Sequence, residues 1–107
     1  MAVRVTKDDF EEKVLRESLP VVVDFYSDSC VACKMLAPVL GELEDEYEEK
    51  LKVVKVNTNF DVELSEKYSI MSNPTVLIFQ SGEEVARRVG SASYQEFEDW
   101  VMRSING

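Results

Sequence analysis

The sequence predicts an α/β protein: a central mixed β-sheet of five strands flanked by four helices, stacked as an α/β/α sandwich. Three observations carry this. Short apolar runs alternate with stretches of helical apolar spacing, and strands joined through helices pair in parallel with helices on both faces. Late in the chain Ser81-Gly82 joins two strand-like runs directly, which reads as a hairpin and adds antiparallel neighbours. Phe97, Trp100, Val101 and Ile105 then form an apolar stripe that marks a closing amphipathic helix.

Each element follows from its residues. Ala2 to Val5 alternates weakly, as a short edge strand does. Thr6 with Asp9 three residues later resembles a helix-start signal, and Phe10, Val14 and Leu15 supply a stripe, so a helix is expected from Lys7 to about Glu17. Val21 to Tyr26 is a strand whose apolar run implies burial on both faces. Met35, Leu36, Val39, Leu40 and Leu43 recur at helical spacing, so the next helix is expected over Val31 to Glu49, with Pro38 removing one donor inside it. Leu51 to Asn57 reads as a strand, Val62, Leu64 and Tyr68 as a short helix, and Thr75 to Gln80 and Glu84 to Val89 as the hairpin. The five phenylalanines are expected in the core. No repeat, linker or low-complexity segment interrupts the chain, so residues 1–107 are expected to form one domain.

Composition narrows the function. Hydrophobic residues make up 45%, enough for a core. Lys and Arg number 12 against 21 Asp and Glu, a formal charge of -9, which disfavours nucleic acid and anionic membrane as partners, since both need a basic face. No apolar segment approaches the ~20 residues of a membrane span, and the first twelve residues lack a signal-peptide pattern. A cytoplasmic location is the default expectation, and there a cysteine pair is seldom a permanent staple.

The only two cysteines, Cys30 and Cys33, stand where the Val21–Tyr26 strand gives way to a helix. Free N–H groups and the positive end of the helix dipole favour the thiolate there, the reactive form. Two intervening residues keep both sulfurs within one turn. Such a short loop stabilises little as a staple, and zinc would need ligands that a chain with no His and no third Cys does not supply. Cys30, closer to the free N–H groups, is the expected nucleophile, with Cys33 resolving the mixed disulfide. Asp24 lies on an apolar strand, where burial would raise its pKa and suit it to accept the Cys33 proton.

Taken together, Val23-Asp24-Phe25-Tyr26, Cys30-Val31-Ala32-Cys33-Lys34-Met35, Ala37-Pro38, Lys55-Val56-Asn57, Asn73-Pro74-Thr75 and Val89-Gly90 resemble the thioredoxin family over nearly the whole chain. The resemblance implies the thioredoxin fold and reduction of protein disulfides by a Cys30–Cys33 couple. It supports Asp24 as the proton acceptor and places Lys55 beside it. It implies that Pro74 is a cis-proline facing the cysteines, with the Asn73 backbone pairing with the substrate chain. Val31, Ala32, Ser72 and Gly90 would complete the substrate surface. It further implies regeneration by a flavin-dependent thioredoxin reductase, disulfide-containing proteins as substrates, no bound cofactor, no metal and a monomer.

The centre departs from the family pattern. Trp-Cys-Gly-Pro-Cys is replaced by Ser29-Cys30-Val31-Ala32-Cys33, and Asn59 and Asn73 stand where acidic and apolar residues are usual. Ser29, Thr58, Ser72 and Asn73 give a polar rim, so the partner set is expected to be narrowed or shifted. Ala32 restores an N–H that proline lacks, which should stabilise the thiolate and make the couple more oxidising. Three further readings stay open: an electron donor dedicated to a reductase system of the glycine-reductase kind, an oxidant or isomerase, and a non-catalytic binding module.

Overall fold

The computed structural model describes residues 2–106, Asn106 by its backbone alone. In chain order the elements are β1 (Val3–Arg4), α1 (Glu11–Leu15), β2 (Val21–Tyr26), α2 (Val31–Glu46), β3 (Lys52–Asn57), α3 (Val62–Lys67), β4 (Thr75–Gln80), β5 (Glu83–Val89) and α4 (Tyr94–Asn106). The strands form one sheet in the order β1-β3-β2-β4-β5. β1, β3 and β2 run parallel, and β4 and β5 are antiparallel to their neighbours. The mixed five-stranded sheet with four helices is as the sequence predicts.

Alternation along β2 builds the two layers of core. Val21, Val23 and Phe25 pack with Phe10, Val14, Leu64 and Tyr68, so α1 and α3 cover one face. Val22 packs with Leu36, Leu40, Leu43, Phe97 and Val101, so α2 and α4 cover the other. Covered on both faces, β2 is buried from Val21 to Phe25, which is why its sequence shows an unbroken apolar run. Asp24 points to the α2 side, the same side as Val22.

Two helices are shorter than the sequence suggests. The Asp9 carboxylate does accept the Thr6 N–H at 2.8 Å, the expected start signal. The chain from Lys7 to Asp9 nevertheless forms a turn, and α1 is a single widened coil in which the Arg16 N–H donates to the Glu11 carbonyl at 2.8 Å, five residues back. It ends before Glu17, whose carboxylate accepts the Ser18 N–H at 3.1 Å. α2 runs through Pro38 but stops at Glu46 rather than Glu49. Tertiary demand overrides the helical propensity of Glu48-Glu49-Lys50: Leu51 must enter the core, and the Lys52 N–H reaches the Pro20 carbonyl at 2.9 Å. α4 begins with a capping box: the Glu96 N–H donates to Ser93 Oγ at 3.3 Å, and the Ser93 N–H donates to Glu96 Oε1 at 3.5 Å.

Phe60 corrects the expectation of an all-core set of phenylalanines. Phe10, Phe25, Phe79 and Phe97 are buried, whereas Phe60 is 73% exposed. Its neighbours Asn57, Thr58, Asn59 and Asp61 offer no apolar stripe for it to join. Met35 likewise turns to solvent although it fits the α2 periodicity.

Candidate functional site

The site lies at one end of the sheet. The carboxyl ends of the parallel strands β1, β3 and β2 meet there. Because β4 is antiparallel to β2, Thr75 at its start pairs with Phe25 near the end of β2. α2 begins at the same end, directly after β2 and a short loop.

Cys30 is the N-cap of α2. Its backbone is extended, with φ -92° and ψ 113°, and its Sγ accepts the Cys33 N–H at 3.0 Å. The sulfur therefore occupies the place where a hydroxyl or carboxylate usually satisfies a free helix N–H. Cys30 and Cys33 are joined as a disulfide with Cα atoms 5.2 Å apart. The two sulfurs differ in access. Cys30 is half-buried at the rim, and Cys33 is 5% exposed beneath it. Val31, between them, is 72% exposed, and Ala32 is half-buried.

Below the disulfide a hollow of about 200 Å³ is lined by Asp24, Cys33, Lys55, Lys34 and Asp28, among others. Asp24 is 5% exposed, and its Oδ1 has no hydrogen-bond partner. Burial pushes its pKa up to about 7, and the Lys55 ammonium pulls partly the other way. Asp24 and Lys55 are partners in the β2–β3 register, so their side chains leave the sheet on the same face. The Lys55 Nζ also lies 5.6 Å from the centre of the Tyr26 ring. Asp24 thus sits in the same hollow as the buried sulfur, and a carboxyl group that titrates near neutrality can exchange a proton there.

The loop before β4 closes the site from the other side. The Asn73–Pro74 peptide bond is cis. The Pro74 carbonyl accepts the Gly90 N–H at 2.9 Å, which continues the β4–β5 ladder by one step. Gly90 has φ +91°, in the region that favours glycine. Ser72 is exposed, and its carbonyl accepts the Thr75 hydroxyl at 2.7 Å. Asn73 donates through Nδ2 to the Thr58 hydroxyl at 3.1 Å, which in turn reaches the Tyr26 carbonyl at 3.2 Å. This polar chain ties the Pro74 loop to the ends of β2 and β3.

The residues singled out from the sequence therefore gather at one end of the sheet: Cys30, Val31, Ala32 and Cys33 on α2, Asp24 and Lys55 beneath, and Ser72, Asn73, Pro74 and Gly90 alongside. Besides Val31, two further residues that the sequence does not single out carry apolar exposure here. They are Met71, just before Ser72, at 91% exposed, and Phe60 at 73%. The signal for Phe60 is an aromatic isolated among polar residues. Among the described residues no three or more Cys, Asp or Glu side chains converge as a metal site, and no helix is long and apolar enough to cross a membrane.

Comparison with known proteins agrees with this geometry. The family model described as Thioredoxin matches residues 1–103. A protein named Thioredoxin from Rickettsia bellii is 40% identical over 105 residues, which covers 98% of this chain and 100% of its own. Thioredoxin 1 of a Nostoc species is 43% identical over 90 residues, 84% of each chain. A Thioredoxin of Porphyra purpurea is 37% identical over 103 residues, 96% of each.

Proposed function

The chain belongs to the thioredoxin family and is a thiol–disulfide oxidoreductase of that type, and from this premise we propose how its residues divide the work. The Cys30 thiolate attacks one sulfur of a substrate disulfide. A Cys30–substrate disulfide forms and the other substrate sulfur leaves as a thiolate. Asp24 takes the proton from the Cys33 thiol, and the Cys33 thiolate attacks Cys30 Sγ. The Cys30–Cys33 disulfide forms, and the substrate leaves with two reduced sulfurs. Two electrons pass from the dithiol to the substrate.

The observation that carries this reading is a disulfide with Cys30 Sγ at a helix N-cap and its partner Cys33 lining one hollow with Asp24. The N-cap N–H groups lower the Cys30 pKa in the reduced state. Lys55 tunes Asp24 through its charge. Val31, Ala32, Ser72, Asn73, Pro74 and Gly90 form the surface on which the substrate chain lies, with the Asn73 backbone pairing to it. The couple needs no bound cofactor. A flavin-dependent thioredoxin reductase returns the two electrons, disulfide-containing proteins are the substrates, and the cytoplasm, with its reducing poise, is the compartment that fits. A monomer suffices, since every group invoked lies on one chain.

Insulin reduction tests the reading. The unmodified protein is expected to reduce insulin disulfides and Cys30→Ser to lose that activity. Cys33→Ser is expected to accumulate a long-lived mixed disulfide on Cys30. Unchanged activity in Cys30→Ser would overturn the assignment.

A further inference from the structure

We propose that Phe60, held in place by Arg4, is a specificity-determining contact for the proteins that exchange disulfides with Cys30, and that it selects partners carrying an apolar side chain flanked by a carboxylate beside their cysteines. The proposal rests on the oxidoreductase reading above.

Phe60 is 73% exposed, so its ring adds almost nothing to the core of its own chain. It is nevertheless not loose. The buried side chain of Asn57 accepts the backbone N–H groups of Asn59 and Phe60 at 3.0 and 3.2 Å through Oδ1. The Arg4 guanidinium lies over the Phe60 ring, 4.8 Å from its centre. An exposed aromatic ring fixed in advance loses little conformational freedom when a partner covers it, and that is the character of a binding anchor.

The ring faces the right place. Phe60, Arg4, Thr6, Asp28, Asn57 and Asn59 line an open cleft of about 410 Å³. Asp28 lines both this cleft and the hollow that holds Cys33, and it precedes Cys30 by two residues. Asn57 Nδ2 donates to Asp28 Oδ2 at 3.2 Å, so one buried amide links the cysteine loop to the Phe60 loop. The cleft is thus continuous with the surface a partner must cover to bring its disulfide to Cys30.

Charge narrows the occupant. The chain carries -9 overall, yet along this cleft and the adjoining hollow Arg4, Lys34 and Lys55 outnumber the carboxylates of Asp28 and Asp24, and Asp28 is already engaged by Asn57 Nδ2. Arg4 makes no ion pair among the described residues. A carboxylate on the partner meets attraction here and repulsion over most of the remaining surface. The polar rim at Ser29, Thr58 and Asn73 offers little to apolar groups, and among the residues that line the cleft Phe60 is the one apolar side chain that can receive them.

The test uses disulfide-cyclised peptides of one scaffold, varied with Leu, Phe, Ser, Glu and Lys at each position flanking the cysteine pair. Bis(2-hydroxyethyl) disulfide serves as a substrate too small to span from Cys30 to Phe60. The readout is the ratio of kcat/KM for each peptide to that for the small disulfide, which normalises the chemistry of each variant. The full chain is expected to favour peptides with Leu or Phe next to Glu by about tenfold, the scale of one partly buried anchor. Phe60→Ser is expected to lose the preference, through KM, and Arg4→Ala to lose the part that depends on Glu and to weaken the Leu/Phe part, since the ring loses the contact that holds it. Circular dichroism confirms that each variant is folded. A full chain without this preference, or a preference that survives in Phe60→Ser, overturns the proposal. Failure of the full chain to reduce even the small disulfide would instead overturn the oxidoreductase reading, and the proposal with it.

Discussion

Asp24 and Lys55 are register partners across the β2–β3 ladder, and the Lys55 ammonium opposes the upward shift that burial imposes on the Asp24 carboxyl. The two effects are unequal: burial wins and leaves the pKa at about 7. Removing the cation leaves burial unopposed. Lys55→Gln is therefore expected to raise the Asp24 pKa above its present value in the oxidised protein, which carbon NMR titration of the carboxyl group reads directly. With Asp24 as the base, the resolving step should slow at pH 7 and its pH profile should move to higher pH. An unchanged titration would show that Lys55 keeps its charge too far out in solvent to matter.

Asp24→Asn tests the energetic side of the same burial. A carboxyl group with a pKa of about 7 in the fold and 3.8 outside it binds its proton more tightly in the folded state. Stability from this group is thus fully present below about pH 4 and is lost as pH rises to about 7. The shift spans roughly 3 pH units, on the order of 4 kcal/mol at about 1.36 kcal/mol per unit. The Asn variant does not titrate. Its stability advantage over the parent should grow between about pH 4 and pH 7 and level off above. Urea unfolding of both oxidised proteins across that range measures it, and parallel pH curves would contradict the burial argument.

Ala32→Pro addresses the centre of the motif. In the disulfide form Cys30 Sγ takes its hydrogen bond from the Cys33 N–H. Once reduced, the Cys30 thiolate carries a full charge at the helix N-terminus and can draw on the Ala32 N–H as well. Proline removes that donor. The Cys30 pKa is expected to be higher in Ala32→Pro and the couple more reducing, both accessible by thiolate absorbance and by equilibrium with glutathione. An equal or lower pKa in the proline variant would refute the role of the Ala32 amide.

The sequence reveals the site and the strands more fully than the helix ends. β2 is legible because two covering layers demand a continuous apolar run, and the Cys30–Cys33 pair is legible because it sits where that run meets a helical stripe. Helix ends are harder, because they answer to distant contacts. Glu48 to Lys50 could continue α2, but burying Leu51 and pairing Lys52 with Pro20 turns the chain away. Phe60 escapes for the opposite reason: hydrophobicity alone assigns it to the core, and only the Arg4 contact and the Asn57 tether explain a fixed ring in water. The cis geometry at Pro74 was implied by resemblance, since an X–Pro bond by itself favours trans.

Asn57 carries the last prediction, because one 5% exposed side chain joins the two loops that flank the disulfide. Its Oδ1 satisfies the Asn59 and Phe60 N–H groups, and its Nδ2 satisfies Asp28 Oδ2. Asn57→Ala removes all three bonds and leaves those groups to whatever water can reach them, a loss of about 1–3 kcal/mol. Asn57→Asp keeps the acceptor but loses the donor and sets a second carboxylate against Asp28. Its cost should exceed that of a simple lost bond at neutral pH and shrink in acid as the carboxylates protonate. Urea unfolding at pH 7 and pH 4 separates the two effects. If Asn57→Ala unfolds within about 0.5 kcal/mol of the parent, the size of a neutral surface change, the tether is not holding these loops.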